Sequence, residues 1–287
     1  MKKYVLILGL ITSLLTGKAD AQTGYCGPRL GSGTEDDPYV YAANCIYEYD
    51  SQTKTLTISG QGKMSNFKYL NAYPSSTAPW AALTVDKLIV GDGITEIGNI
   101  AFHGINRYST NPLEVVLPDS ITSIGSYAFS NNKILEINIP SSVQSFGSGV
   151  FSDTSLSSVV LPEGIKKITG RMLQGTNITE IAIPESVETI NELAFTMNSG
   201  ANGTPLTKIY CSAQQLQQCE AAVAYRGENI EIKEYQKDKS GRYFYNNKWY
   251  ATPSDIVGDH HIKKRIYTIN EANQVTGSTN TFSIRYR

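Results

Sequence analysis

Few side chains in this chain are of the kinds that make or break bonds. Its histidines are His103, His260 and His261, and its cysteines are Cys26, Cys45, Cys211 and Cys219. A Ser–His–acid relay needs a nucleophile on a sharp turn with a base in reach, and a metal centre needs ligands at fixed offsets. Neither spacing is present: His103 stands apart, and the adjacent His260 and His261 point to opposite sides if their segment is extended. The trio Glu35-Asp36-Asp37 lacks the spaced oxygen ligands of a calcium loop and reads as a solvated turn. Gly31-Ser32-Gly33 lacks the strand–loop–helix setting of a phosphate loop. The expectation is therefore no enzyme, no catalytic residue, no metal and no cofactor.

What remains for function is surface, and a repeat sets that surface. Gly91, Pro118, Pro140, Pro162 and Pro184 are each followed, eleven residues on, by Phe102, Phe129, Phe151, Leu173 and Phe195. From Pro118 to Pro184 the period is 22 residues, the mark of stacked repeats that bury one another's apolar faces. One and three before each mark stand Val90, Leu117, Ile139, Leu161 and Ile183, and Leu88, Val115, Ile137, Val159 and Ile181. That alternation describes a short strand with one buried face. Three and six after come Ile94, Ile121, Val143, Ile165 and Val187, then Ile97, Ile124, Phe146, Ile168 and Ile190. Each repeat thus offers about six inward side chains, each contributing roughly 1.5–3 kcal/mol on burial before entropy is charged.

The segment Ile139-Pro140-Ser141-Ser142-Val143, with Phe146, Gly147 and Phe151, and its near copy Ser120 to Phe129, resemble the BspA-like leucine-rich repeats of bacterial surface proteins. The resemblance covers about 85–232. Upstream, Leu56 to Met64 followed by Ala78-Pro79-Trp80 looks like the module that commonly precedes such repeats, and Leu206 to Tyr225 looks like a truncated last one. The resemblance implies a mainly β fold, a right-handed solenoid with a parallel sheet on its concave face, and a link to adhesion and host-protein binding. A fold alone does not establish that function.

Lys2 and Lys3, the apolar run Tyr4 to Leu15, and Ala19-Asp20-Ala21 read as a signal peptide over 1–21. Removing Lys2, Lys3, Lys18 and Asp20 from 25 basic and 26 acidic residues leaves a net charge of −3. So nearly neutral a chain is a poor candidate for phosphate-driven nucleic-acid binding. No second long apolar run follows, and no membrane span is expected after signal removal. The expected location is secreted or at a bacterial cell surface, with the periplasm as the alternative.

Four cysteines in an exported chain suggest two disulfides, and of three pairings proximity favours Cys26–Cys45 and Cys211–Cys219. Cys211 holds the inward strand position of the sixth, incomplete repeat, and Ala213 to Tyr225 reads as a helix with Ser212 as N-cap and Leu216, Cys219 and Val223 on one face. Laid over the open end of the stack, that helix would bring Cys219 onto Cys211 as a short helical C-terminal cap. At the other end, 22–82 reads as an N-terminal β capping module, with strands Ile46–Tyr49 and Thr55–Ile58 around the turn Asp50–Lys54. The repeats then occupy 83–232. A small Tyr-rich β module occupies 233–287, with a hairpin turn at Asn246-Asn247 and further strands at Ile266–Ile269 and Phe282–Tyr286.

The candidate binding residues are those the strand pattern turns outward. Two before each mark stand Ile89, Val116, Asn138, Val160 and Ala182, with Tyr210 in the sixth repeat; four before stand Lys87, Glu114, Glu136, Ser158, Glu180 and Lys208. An apolar stripe beside an acidic one, with a lysine at each end, suits a protein or glycan partner. The period lengthens after Phe102 and after Phe195, where insertions 103–111 and 196–205 should emerge on one flank. His103, Arg107 and Tyr108 in the first are added candidates, since insertions gather on binding flanks. The leading expectation is an exported, non-catalytic binding or adhesion protein whose partner is a host or bacterial surface protein or glycan. A structural surface or periplasmic spacer presenting the C-terminal module is second, and an enzyme of unknown type third.

Overall fold

The computed structural model describes residues 21–30, 40–70, 76–195, 206–226, 230–237, 243–245, 248–250, 253, 264–269 and 275–281. The expected signal segment, apart from Ala21, lies outside them, as do Gly31–Gly33, Glu35–Asp37, His260, His261, the insertion 196–205 and the strand expected at Phe282–Tyr286. No helix of the described residues is long and apolar enough to cross a membrane.

The chain begins with β1 (Ala21–Tyr25), β2 (Arg29–Leu30), β3 (Val40–Tyr41), β4 (Cys45–Asp50), β5 (Thr55–Gly60) and β6 (Gly62–Lys63). β1 and β5 flank β4 antiparallel, and the β4–β5 hairpin closes at the expected Asp50–Lys54 turn. Asp50 Oδ1 accepts from the Gln52 and Thr53 amides at 3.0 and 3.3 Å, the side-chain mimicry that favours Asp in turns. The Cys26–Cys45 disulfide is formed, with its Cα atoms 5.0 Å apart.

The repeats follow as β7 (Lys87–Val90), β8 (Ile94–Ile97), β9 (Glu114–Val116), β10 (Ser123–Ile124), β11 (Ser145–Phe146), β12 (Lys167–Ile168), β13 (Glu180–Ala182), β14 (Thr189–Ile190) and β15 (Lys208–Ser212). β5, β7 and β9 pair in parallel and in register, Leu56 against Leu88 against Val115, so the hairpin module runs into the repeats within one sheet. β13 and β15 pair likewise through Ile181 and Ile209. A second parallel ladder joins Ile97, Ile124 and Phe146 across β8, β10 and β11, and Ile168 to Ile190 across β12 and β14. It was not anticipated as a ladder, though its inward isoleucines were.

The first ladder departs from the expected continuous parallel sheet. It stops at β9 and resumes at β13, and 135–139 and 157–161 form no strand. Asn138 stands where the flanking repeats carry Val116 and Val160, and Ser157-Ser158 is a pair of weak strand formers. Of the inward residues there, Ile137, Ile139 and Val159 are only partly buried, although Leu161 is 1% exposed, whereas Leu88, Val90, Ile181 and Ile183 are at most 1% exposed. Continuity passes instead through rungs at the far turn, where Phe102 N donates to Ala128 O, Phe129 N to Val150 O and Phe151 N to Met172 O.

At that turn lies a row of rings. Trp80, Phe102, Phe129 and Phe151 stack at centroid distances of 5.7, 5.7 and 6.1 Å, all fully buried. Trp80 stands one period before Phe102 and also donates its indole N–H to Ala101 O at 2.7 Å. The turn needs left-handed backbone at two places per repeat. Ile100, Tyr127, Gly149 and Arg171, two before the ring position, have φ between 54° and 62°. Gly104, Asn131, Asp153 and Gly175, two after it, have φ between 55° and 70°. Gly, Asn and Asp tolerate this region best, which accounts for the second set.

The C-terminal part adds α1 (Leu216–Arg226), β16 (Glu231–Lys237), β17 (Tyr243–Tyr245), β18 (Lys248–Tyr250), β19 (Lys264–Ile269) and β20 (Val275–Thr281). β16 adds one more parallel strand beside β15, and β17 and β18 extend it antiparallel. The expected hairpin strands therefore meet, although Asn246 and Asn247 lie outside the described residues. β19 and β20 pair with each other. The helix sits against β14, β15 and β16, with Cys219 and Ala222 fully buried.

Two expectations at this end are corrected. Cys211 and Cys219 are both buried as neighbouring free thiols rather than joined as a disulfide. The neighbouring Cys211 sulfur and burial push the Cys219 thiol up, and both sulfurs pack as small apolar groups in the core. Ser212 does not cap the helix with its hydroxyl, which has no hydrogen-bond partner; its amide donates to Gln215 Oε1 at 3.0 Å instead. Gln215 then donates to Pro184 O and Val187 O, while Gln218 Oε1 accepts from Ile190 N and its Nε2 donates to Glu188 O. Two glutamine amides thus satisfy backbone at the edge of the last repeat, an unmet edge otherwise costly to leave.

Candidate functional site

The outward stripe of the first ladder is divided by burial. Ile89, Val116, Ala182 and Tyr210 are at most 5% exposed, Val160 is half-buried and Asn138 is exposed. The expectation that all six face solvent is therefore corrected for four of them. Ladder neighbours lie only about 4.8 Å apart and cover one another, as Ile89 and Val116 do in register. At the other end Tyr235 and Tyr243 form a second small core with Ala182 and Tyr210. Tyr235 OH donates to Ile183 O at 2.6 Å, and burial raises its pKa well above the ordinary phenol value.

The charged stripe is largely self-paired. Lys87 and Glu114, in-register neighbours, lie 3.3 Å apart. Lys208 and Glu180, also in register, lie 2.8 Å apart, and Tyr210 OH donates to the same carboxylate at 3.1 Å. Hydrogen bonding to Glu180 pushes the Lys208 pKa up to about 12. The lysines at the two ends thus neutralise adjacent acids, the cross-strand pairing a parallel ladder favours. Between these closed ends, where the strands lapse, the surface opens: Leu135 is 52% exposed, and Glu136 and Asn138 are exposed beside half-buried Ser158 and Val160.

The insertion 103–111 is not a free loop. His103, Ile105, Asn106 and Ser109 are at most 5% exposed. Asn106 Nδ2 donates to Val85 O at 2.7 Å, and its amide to Asn132 Oδ1 at 2.9 Å. Ser109 Oγ and Asn111 Nδ2 donate to the Asp86 carboxylate, which Lys54 also approaches to 3.5 Å. Despite the opposing effect of burial, these contacts hold the Asp86 carboxyl below the usual range. Of the three loop candidates Tyr108 is 79% exposed, Arg107 is half-buried with its guanidinium carbon 5.0 Å from the Tyr108 ring, and His103 is buried.

His103 nonetheless borders a hollow. Ser130 Oγ donates to Tyr127 O at 2.9 Å, so the 2.7 Å contact to His103 Nδ1 assigns the proton to Nδ1. Burial, and then the nearby Arg107 charge, lower the His103 pKa to about 4, so the ring is neutral at physiological pH. Tyr69 packs edge-on to both His103 and Tyr127, at centroid distances of 4.9 and 6.2 Å. Together with Ser130, Ser152 and Asp153 these residues line a cavity of about 260 Å3 on the ring-turn side.

Sequence reading missed Tyr69, Tyr127, Ser130, Ser152 and Asp153. Four of them fall at fixed offsets from Phe129 and Phe151, and that registry was the available signal. A serine ladder was missed too: Ser120, Ser142 and Ser186, each two after a mark, donate to Ile94 O, Ile121 O and Ile165 O one repeat earlier.

A family model described as the BspA type leucine rich repeat region matches residues 80–202 in six copies. No curated protein matches the chain. Among solved structures it is similar to a leucine-rich repeat protein from Eubacterium ventriosum ATCC 27560, at 22% identity and a TM-score of 0.51, covering 79% of this chain and 49% of that one. A leucine rich cell surface protein from Faecalibacterium prausnitzii A2-165 aligns at 22% identity and a TM-score of 0.38, over 71% of this chain and 59% of that one. This chain thus spans about half the length of the first, and that likeness bears on the fold alone. The matched copies coincide with the stacked rungs from Trp80 onward, and residues 80–202 are a BspA-type leucine-rich-repeat region.

Proposed function

We propose that this chain is an exported, non-catalytic binding protein of the cell surface, and that its repeat surface takes a protein or glycan partner. The observation that carries the reading is the opening in the first ladder. Glu136, Asn138, Ser158 and Val160 form the accessible stretch of a face whose two ends are closed by packing and by ion pairs, and Leu135, next in the chain, is exposed as well. Half-buried Val160 in line with a carboxylate, an amide and a hydroxyl, with exposed Leu135 nearby in the chain, suits a polar-rimmed protein contact. The family match adds support, since it is to a repeat region and indicates no enzymatic family.

The test is capture of partners from immobilised panels of extracellular-matrix proteins and glycans by the purified chain. Specific, saturable retention of at least one supports the reading, and uniform failure across both panels counts against it. The second reading, a spacer that presents its C-terminal segment, draws on β16, which continues the repeat sheet and fixes the following strands to it.

A further inference from the structure

Resting on the binding reading above, and naming a ligand class for a second place on the molecule, we propose that the cavity lined by Tyr69, His103, Tyr127, Ser130, Ser152 and Asp153 binds a single neutral sugar ring.

Size sets the first limit. The hollow is about 260 Å3 and open to solvent on one side, which leaves room for one hexose ring against its walls. The walls set the second. Tyr69, 39% exposed, stands nearly perpendicular to the imidazole and at 63° to Tyr127, so the rings make a corner rather than a closed slot. A corner of aromatic surface takes the C–H face of a pyranose, as aromatic rings with one wet edge do for half-polar ligands.

The polar groups then sort the alternatives. An anion would meet the Asp153 carboxylate. A cation could pair with Asp153, the one charged group on the wall, and a cationic probe is therefore the control for the neutral glycosides in the test below. A wholly apolar ligand would cover the Asp153 carboxylate with hydrocarbon. A neutral polyol offers hydroxyls that both donate and accept, and its carbon face meets the tyrosines. The frame is rigid as well: Ser130 is held between His103 and Tyr127, and the amide of Asp153 donates to Gln174 O at 2.7 Å.

Saturation-transfer NMR on the full chain, with methyl glycosides of neutral hexoses and N-acetylhexosamines as probes and the cationic methyl glycoside of glucosamine as control, tests this. The expected result is transfer to the ring C–H protons of at least one glycoside with a Kd of about 1–10 mM, weakened at least about tenfold in Tyr69→Ala and in Asp153→Asn. Asp153→Asn keeps the fold available if Tyr69→Ala does not, because Asn131 adopts the same backbone one repeat earlier, with φ of 59° against 55°. Transfer should persist in a Leu135→Glu/Asn138→Arg variant, which separates this cavity from the open stretch of the ladder. No transfer to any neutral glycoside, stronger transfer to the cationic control, or transfer unchanged in both cavity variants overturns the proposal and leaves the capture result for the ladder face standing.

Discussion

Replacing Phe129 by alanine removes the middle ring of the row Trp80–Phe102–Phe129–Phe151, and its cost can be worked from its surroundings. The side chain is fully buried, with stacked neighbours at 5.7 and 6.1 Å. A buried Phe→Ala change costs about 3–5 kcal/mol from lost transfer energy and the cavity left behind. Two stacked partners, each adding about 0.5–1.5 kcal/mol beyond burial, place Phe129 at the upper end of that range, near 4–5 kcal/mol. Against a net stability of about 5–15 kcal/mol for a domain, that is a large fraction. Phe129→Leu should cost far less, about 1–2 kcal/mol, because a leucine already serves the same rung at Leu173, 8% exposed. Urea unfolding followed by circular dichroism measures both, through the midpoint and the slope. Phe129→Ala should lower the midpoint sharply, and a reduced slope would show the repeats on either side melting separately. A cost below about 1 kcal/mol, or equal costs for the two variants, would refute the idea that the ring row couples the repeats.

Three further outcomes are expected. His103 is neutral in the fold with a pKa of about 4 against 6.5 when exposed, among Tyr69, Tyr127, Asp153 and the Arg107 charge. Its contribution is complete above pH 6.5 and falls as pH drops toward 4, by up to about 3 kcal/mol, because the unfolded chain takes the proton first. His103→Gln should flatten stability across that window, and identical pH slopes in the two proteins would count against it. Cys211 and Cys219 should resist alkylation in the native protein and react as two thiols only on unfolding, as mass spectrometry of the labelled chain reads directly. Gly175→Ala should destabilise by about 1–3 kcal/mol in thermal melts, since φ is +70° and a Cβ there would lie 2.4 Å from Asp153 Oδ1; a neutral change would disprove that strain.

The inward half of this fold was legible because one period of 22 residues repeats the same apolar positions, and these are buried except at Leu117, Ile137, Ile139 and Val159, which are partly buried. Trp80 was legible too, one period before Phe102, once the rung is known to be aromatic. The Cys26–Cys45 pairing and the helix after Ser212 followed from proximity and residue type. The outward face was not legible, because alternation says which way a strand residue points and not what lies over it. Tyr235 and Tyr243 cover Tyr210 from 25 and more residues away in the chain. The lapse of the ladder at 135–139 and 157–161 depends on summed weak preferences at Asn138, Ser157 and Ser158, which no single position announces. Nor does spacing reveal whether two neighbouring sulfurs are bonded, and Cys211 and Cys219 are buried as free thiols.

The burial pattern also decides which substitutions report on binding. Charging Val116 or Tyr210 would test folding, since both are at most 4% exposed, whereas Leu135, Asn138 and Val160 can be changed at or near the surface. The most direct measurement is therefore the affinity of a captured matrix protein or glycan for the wild-type chain and for Leu135→Glu/Asn138→Arg/Val160→Arg, with thermal melts confirming that both are folded. The account predicts a loss of at least about a hundredfold, the 2.7 kcal/mol scale of a small interface centre, with the melting temperature little changed. Full affinity in a folded variant would contradict it.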